Sequence, residues 1–329
     1  PSGPTTPVRI SIEDLRARAA QNPNDITHVR RVALAELFAP DGDPARAREA
    51  ITRGLALAPS DVMLHFAHGE EAILHGRPTE ATEALLEAIS RARTSNDPRD
   101  AVVAEAAVDV LSGAITSHRQ PDTITTPLVA LLDAPGRLGP AVTHEIAQVA
   151  TAFAYKRGDV AAVAALAERA GCVTSFRVAG PFGPRDLLGF DRNLGPEASG
   201  PLAETYDLGP MRGRRETRTV EGRGCSVHLG DGPVGGGGVT FAEGSVSIGT
   251  AGERWIRLET PNAVELFVDG TSVARFDARR SPLVRTRYVP VRFSAGTHEI
   301  TVKITTRHAN PVLIVAVTGD DGRPDAAAG

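Results

Sequence analysis

A period of 34 residues near the N-terminus constrains this chain more than any other feature of its sequence. Gly42, Ala47, Ile51 and Gly54 return as Gly76, Ala81, Leu85 and Ala88, and the same step carries Ala35 to Gly69 and Phe38 to Ala72. A fixed period of this length marks paired helices that stack because one pair cannot bury its apolar face alone. The small residues Ala35, Gly69, Ala47 and Ala81 suit such stacking, since they let two helices approach closely. Pro59 closes the first unit, and Ser60 stands where a hydroxyl can cap the next helix. Beyond Ala92 the period slips. Residues 100–116, 127–134 and 140–157 still keep apolar side chains at helical 3-4 spacing, and 158–170 reads as one further helix. About eight or nine helices are expected between Ile12 and Ala170.

From Cys172 onward the apolar period becomes two. "ERWIRLET" (Glu253–Thr260) alternates Ile256 and Leu258 with Trp255 and Arg257, and "AVELFVDGTSVARF" sets Asp269-Gly270 between two apolar runs as a hairpin turn. "RTRYVPVRFSAGTHEITVKI" and "PVLIVAVT" follow, joined by Gly-containing turns. About eight short strands at this spacing indicate a sandwich or jelly roll. The change of character falls at "RVAGPFGPRDLLGF" (Arg177–Phe190), a border between two folds, where Phe182 and Phe190 are expected to plug the sandwich edge against the helices. Only Gly171 to Val173 separate the last helix from the first strand. That is too short for a flexible linker, so array and sandwich are expected to form one rigid body.

Over Ile26 to Ala92 the repeat positions resemble the tetratricopeptide repeat, with Gly at its eighth and fifteenth places and Ala at its twentieth. Arg31 and His65 depart from the pattern, standing at the fourth place instead of a large aromatic. The resemblance implies an α-solenoid with a concave groove for a peptide or protein partner, lined in the second unit by Met63, Phe66, Glu70, Ile73 and Leu74. "FAEGSVSI", "ERWIRLETPNAVELFVDGTSVARFD" and "VPVRFSAGTHEITVKI" resemble the jelly-roll sandwich of protective-antigen-type and galactose-binding-like modules. The whole is similar to the N-terminal regions of large bacterial multidomain proteins, in which such parts precede a transglutaminase-like or other catalytic domain. The expected fold is therefore α plus all-β: a tetratricopeptide-like solenoid over 10–171 and a jelly-roll sandwich over 172–319, with 1–9 and 320–329 as linker or tail.

Composition narrows the function classes. A net charge of −4 offers no overall attraction to nucleic acid or an anionic membrane, and no run of about 18 apolar residues spans a bilayer. The opening PSGPTTP has neither an initiator Met nor a signal-peptide pattern, and the terminal Asp325-Ala-Ala-Ala-Gly329 reads as linker. An excised piece of a longer bacterial protein is expected, periplasmic or cell-surface rather than cytoplasmic. Cys172 and Cys225 are read as two isolated buried thiols, with a disulfide between them as the alternative.

No complete catalytic apparatus is visible. His65, His68 and His75 share a predicted helix, but no Cys or third ligand is suitably spaced for a metal, so packing between helices is the expected role. "GDGPVGGGG" (230–238) lacks the Gly-Lys-Ser or Gly-Lys-Thr ending of a phosphate cradle and reads as a loop between strands. Cys225 and His228 lie three apart in an apparent strand, which puts them on opposite faces and excludes a nucleophile–base pair. Asp320 and Asp321 follow the last strand; related sandwiches hold calcium in acidic loops, but a solvated turn is the favoured reading. Two arginine clusters could receive an anionic partner if both lay on one sandwich edge: Arg212, Arg214, Arg215, Arg218 and Arg223, then Arg275, Arg279, Arg280, Arg285 and Arg287.

The expectation is a non-catalytic interaction or scaffold module that uses the helical groove. The alternatives are carbohydrate recognition by the sandwich, through Trp255, Arg257, Tyr288, Arg279 and Arg280, and an accessory region of a hydrolase. No cofactor is called for beyond the weak calcium reading.

Overall fold

Aspartate and proline set where the helices begin. In this computed structural model, which describes residues 10–117, 122–133, 138–182, 187–198, 200–207, 213–229, 238–278, 285–306 and 312–325, the helices are α1 (Ile12–Gln21), α2 (Ile26–Phe38), α3 (Pro44–Leu57), α4 (Val62–Leu74), α5 (Pro78–Ala92), α6 (Pro98–Ser117), α7 (Asp122–Asp133), α8 (Gly139–Lys156) and α9 (Val160–Arg169). Asp25, Asp43, Asp61 and Asp159 each accept a first-turn backbone N–H of the helix that follows, and Pro44 and Pro78 occupy first positions where no N–H is missed. Asp61, not Ser60, caps α4, because its carboxylate reaches the Leu64 N–H at 3.0 Å. Helix α7 starts earlier than apolar spacing suggested, at Asp122, with Pro127 inside it.

The chain divides into two compact units, 1–146 and 147–329. In the first, α1 packs on α2, α2 on α3, α3 on α4, α4 on α5 and α5 on α6, while α4 also meets α2 and α6. Where α2, α3 and α4 meet, the contact surfaces are made of Ala33, Ala47, Ala50, Ile51, Leu64 and Ala67. Small residues are required there: a Cβ on Gly54 would stand 2.6 Å from a Leu64 methyl, and one on Gly69 2.5 Å from Leu85 Cγ. Two glutamates near the C-terminal ends of α2 and α4 are buried. Glu36 receives the Arg16 guanidinium through two hydrogen bonds (2.6 and 2.9 Å) and the Asp43 N–H at 2.9 Å. Glu71 pairs with Arg77 and, at 3.0 Å, with His75. Each ties its helix to a neighbouring segment.

The second unit contains the end of α8, α9 and antiparallel strands β1 (Ser175–Phe182), β2 (Thr205–Asp207), β3 (Arg214–Glu216), β4 (Arg218–Glu221), β5 (Val227–His228), β6 (Gly238–Ile248), β7 (Gly252–Thr260), β8 (Val264–Val268), β9 (Thr271–Phe276), β10 (Arg285–Phe293), β11 (Gly296–Thr306) and β12 (Val312–Thr318). Among the described residues they form a six-stranded sheet, β4-β1-β6-β11-β8-β9, a four-stranded sheet, β10-β7-β12-β5, and the ribbon β2-β3, none of them closed. Both larger sheets contribute to one core, with Phe176, Ala242, Leu266 and Val302 from the first and Ile256, Leu258, Val291 and Val315 from the second. The Asp269-Gly270 turn joins β8 to β9 as expected, both residues holding positive φ (49° and 76°).

The passage from helix to sheet has no slack. Gly171 ends α9 at φ 68°, and its carbonyl accepts from Val317 N–H while Val173 N–H donates to Val315 O, both at 2.8 Å. Cys172, between them, is joined to Cys225 by a disulfide (Cα–Cα 5.2 Å), which corrects the expectation of two free thiols. Phe182 and Phe190 are corrected as well. They pack with Leu202, Val239, Phe241 and Ala263 in a second small core that, among the described residues, contains no residue of α1–α9. Val239 and Phe241 alternate with the inward Ala242, so this core lies on the outer face of the six-stranded sheet, covered by residues 187–198 and 200–206 of the intervening excursion.

Candidate functional site

Pairing register decides which sequence-flagged residues meet. On β7, Ile256 and Leu258 point into the core, leaving Trp255, Arg257 and Glu259 on the outer face of the four-stranded sheet. Strand β10 runs antiparallel beside it, with Tyr288 directly opposite Arg257, Pro290 opposite Trp255 and Thr286 opposite Glu259. Trp255, Arg257 and Tyr288 therefore form one patch. Arg257 is not the surface cation expected: it is 5% exposed, and its Nη2 donates to Glu259 at 2.7 Å. The Thr286 hydroxyl donates to the same carboxylate at 3.2 Å. Trp255 is half-buried, and its indole N–H donates to Asp320 at 2.8 Å, which fixes the ring's orientation. Arg279 and Arg280 lie outside the described residues, as do 230–237 of the glycine loop.

Asp320 and Asp321 do not converge on a common point. Asp320 holds Trp255, and Asp321 accepts the Arg323 N–H at 3.1 Å. The three helical histidines also take separate partners: His65 meets the Pro59 carbonyl (2.8 Å), His68 meets Glu80 (2.8 Å) and His75 meets Glu71. Cys225 is oxidised and lies outside β5, so no thiol stands beside His228.

The arginine clusters separate. Arg214 and Arg215 belong to the β2-β3 ribbon and Arg218 to β4, one edge of the six-stranded sheet, whereas Arg275 lies on β9, the opposite edge. Arg275 pairs with Asp191 and stacks 4.6 Å over the Phe190 ring; Arg287 stacks 4.8 Å over Phe276; Arg223 donates to the Tyr155 hydroxyl at 3.2 Å. Arg212 is outside the described residues, and so is the side chain of Arg285. No single cationic edge results from the described members.

A second feature was not anticipated. The half of the six-stranded sheet's outer face left open by the excursion is the floor of a trough of about 750 Å³. Residues on alternate positions of three strands make that floor: Ser175 and Arg177 on β1, Glu243, Ser245 and Ser247 on β6, Thr297 and Glu299 on β11. The rest of the lining comes from Glu168 and the segment 171–174, from positions 244, 246 and 248 of β6, from Asp269 and His298, and from Arg254, Val317 and Pro324–Asp325 on the side of the four-stranded sheet. The sequence carried this signal only as alternate polar residues in "FAEGSVSI" and "GTHEITVKI"; which strands are neighbours is a matter of topology.

On α4, Met63, Phe66 and Glu70 are half-buried, and Ile73 and Leu74 are exposed by 38% and 62%. Burial alone pushes the Glu70 carboxyl above its ordinary pKa. No helix is long and apolar enough to cross a membrane among the described residues.

No protein-family model matches the chain, and no curated protein matches it. Part of the chain is similar to a β-glucosidase from Kluyveromyces marxianus (10% identity, 31% of this chain and 14% of that one, TM-score 0.26). It is also similar to a family 35 carbohydrate-binding module from an environmental isolate (19% identity, 31% and 85%, TM-score 0.22) and to the PA14 domain of the MpAFP antifreeze protein (16% identity, 47% and 84%, TM-score 0.28). The chain thus spans 14% of the length of that β-glucosidase. Likenesses of this size carry no argument about function, which rests on the residues above.

Proposed function

We propose that this chain is a non-catalytic recognition module whose second unit binds a carbohydrate on the outer face of the four-stranded sheet. The observation that supports this reading is the β7–β10 register, which puts Trp255, Tyr288 and the Arg257–Glu259 pair on one patch. Aromatic rings beside charged hydrogen-bonding groups suit a sugar, which presents apolar C–H faces and polar edges together. In this reading the sheets are a jelly roll and the helices a tetratricopeptide-like solenoid. The disulfide fits an oxidising compartment, the bacterial periplasm or cell surface. A glycan array tests the assignment: the protein should bind a defined subset of glycans, and Trp255→Ala and Tyr288→Ala should each weaken that binding at least about tenfold. A silent array, or undiminished binding by both variants, overturns it.

A second reading assigns a protein or peptide partner to the helical unit. The consecutive exposed side chains Ile73 and Leu74, one turn beyond Glu70, favour it. Ile73→Asp with Leu74→Asp should then abolish capture of a partner and leave glycan binding intact.

A further inference from the structure

The trough is a second site, whose floor residues belong to β1, β6 and β11 of the six-stranded sheet and not to the β7–β10 face of the proposed glycan patch. Its charges are mostly matched within the protein. Arg177 directs its two terminal nitrogens to Glu243 (3.0 Å) and Glu204 (2.7 Å), Arg254 pairs with Asp325 (2.8 Å), and His298 pairs with Asp269 (2.6 Å). Glu168 stands at the solvent rim. Glu299 is the exception on the floor. Among the described residues it makes no ion pair, and the only side-chain donor to its carboxylate is the Thr301 hydroxyl at 3.3 Å. Burial, then the negative charges of Glu243 and Asp269, push its pKa up. A half-buried carboxylate in that setting is stabilised by an incoming cation.

Hydroxyls surround it in a fixed pattern. Ser245 lies directly opposite Glu299, and Ser247 directly opposite Thr297. Cross-strand neighbours stand about 5 Å apart, so these groups form a lattice of donors and acceptors beside one carboxylate. Ser245, Ser247 and Thr297 are all exposed, and no Phe, Tyr or Trp lines the trough. The lining selects for polarity and positive charge rather than for stacking.

We infer that the trough binds a small polyhydroxylated ammonium compound, an amino sugar in chemical class, with its ammonium group on Glu299 and its hydroxyls on Ser245, Ser247 and Thr297. The ammonium forms a charge-assisted hydrogen bond that a neutral sugar cannot offer, so the site separates the two by charge.

Isothermal calorimetry near neutral pH with glucosamine and glucose as probes tests this. Glucosamine should bind at least about tenfold more tightly than glucose. Glu299→Gln, which keeps the shape and removes the charge, should erase that preference. Ser245→Leu, which fills the floor without touching the carboxylate, should weaken both probes. Equal binding of the two sugars, a preference retained in Glu299→Gln, or no heat from glucosamine up to about 50 mM would overturn the inference. Glu299→Gln reports on the trough and the array variants Trp255→Ala and Tyr288→Ala report on the other patch, so failure here and failure of the glycan patch are told apart by which variants lose binding.

Discussion

His298 shows how one side chain can order two turns. It is buried, its edge lies against Phe293 with ring centroids 5.0 Å apart, and both ring nitrogens face acceptors: Asp269 Oδ2 at 2.6 Å and the Ser294 carbonyl at 2.9 Å. Only the imidazolium donates to both at once. The Asp269 bond raises the His298 pKa above 6.5 against the opposing effect of burial. For Asp269 burial acts upward, but the bonds from His298 and the Glu299 N–H outweigh it and hold the carboxyl below 3.8. The histidine contribution is therefore complete below pH 6.5 and fades as pH rises through the raised value, while the aspartate contribution is complete above 3.8 and fades as pH falls through the lowered one. Replacing His298 with Gln should cost about 1 kcal/mol near pH 5.5 and progressively less in alkaline buffer, measured by urea unfolding across a pH series. A pH-independent difference would show that the pair does not titrate as a unit. Gly171 is a sharper case. A Cβ there would stand 2.3 Å from the Val317 carbonyl oxygen, at a φ of 68° that side chains avoid. Gly171→Ala should destabilise the second unit by about 3 kcal/mol, seen as a lowered thermal midpoint.

At the scale of elements, the helices are held by apolar contact along their length and by buried ion pairs near the ends of α2 and α4. Glu71 is 1% exposed at its side chain and Arg77 23%, so removing the carboxylate leaves a partly buried guanidinium without its main partner. Arg77 also reaches Glu80 at 2.5 Å, which moderates the loss. Glu71→Ala should cost about 2–3 kcal/mol, read from chemical denaturation followed by helical circular dichroism. In the sheets, the excursion over 187–198 is pinned to the outer face by Lys303, which is 2% exposed, pairs with Glu197 and donates to the Arg192 carbonyl at 2.9 Å. This pinning decides which half of the face is covered and which half is trough.

At the scale of the whole molecule, the Cys172–Cys225 bond closes a loop across 53 residues. A loop of that length restricts the unfolded chain by about 4 kcal/mol. It also holds the Gly224 turn on Thr151 and Val163, where a Cβ would stand 2.9 Å from the Thr151 methyl. Cys225→Ser, or reduction of the native protein, should lower the unfolding midpoint markedly; thiol alkylation before and after reduction reports the bond's state. An unchanged midpoint after full reduction would place the stability elsewhere.

Periodicity alone determined the order of the chain: helices first with small residues at their contacts, then alternating strands with a two-residue turn at Asp269-Gly270. Those features depend on neighbours within a few residues, so the sequence carries them directly. It also placed Trp255 and Arg257 on one strand face. Whether Cys172 and Cys225 meet, where Phe182 and Phe190 pack, and which strand lies beside which depend on residues dozens of positions apart. Only tertiary structure decides these, because loop closure and sheet order leave no mark in local spacing. Arg257 makes the difference plain: its alternation was legible, but its burial against Glu259 follows from the fold. The trough belongs wholly to that second class, since Ser245 faces Glu299 only because β6 and β11, far apart in sequence, are neighbours in the sheet.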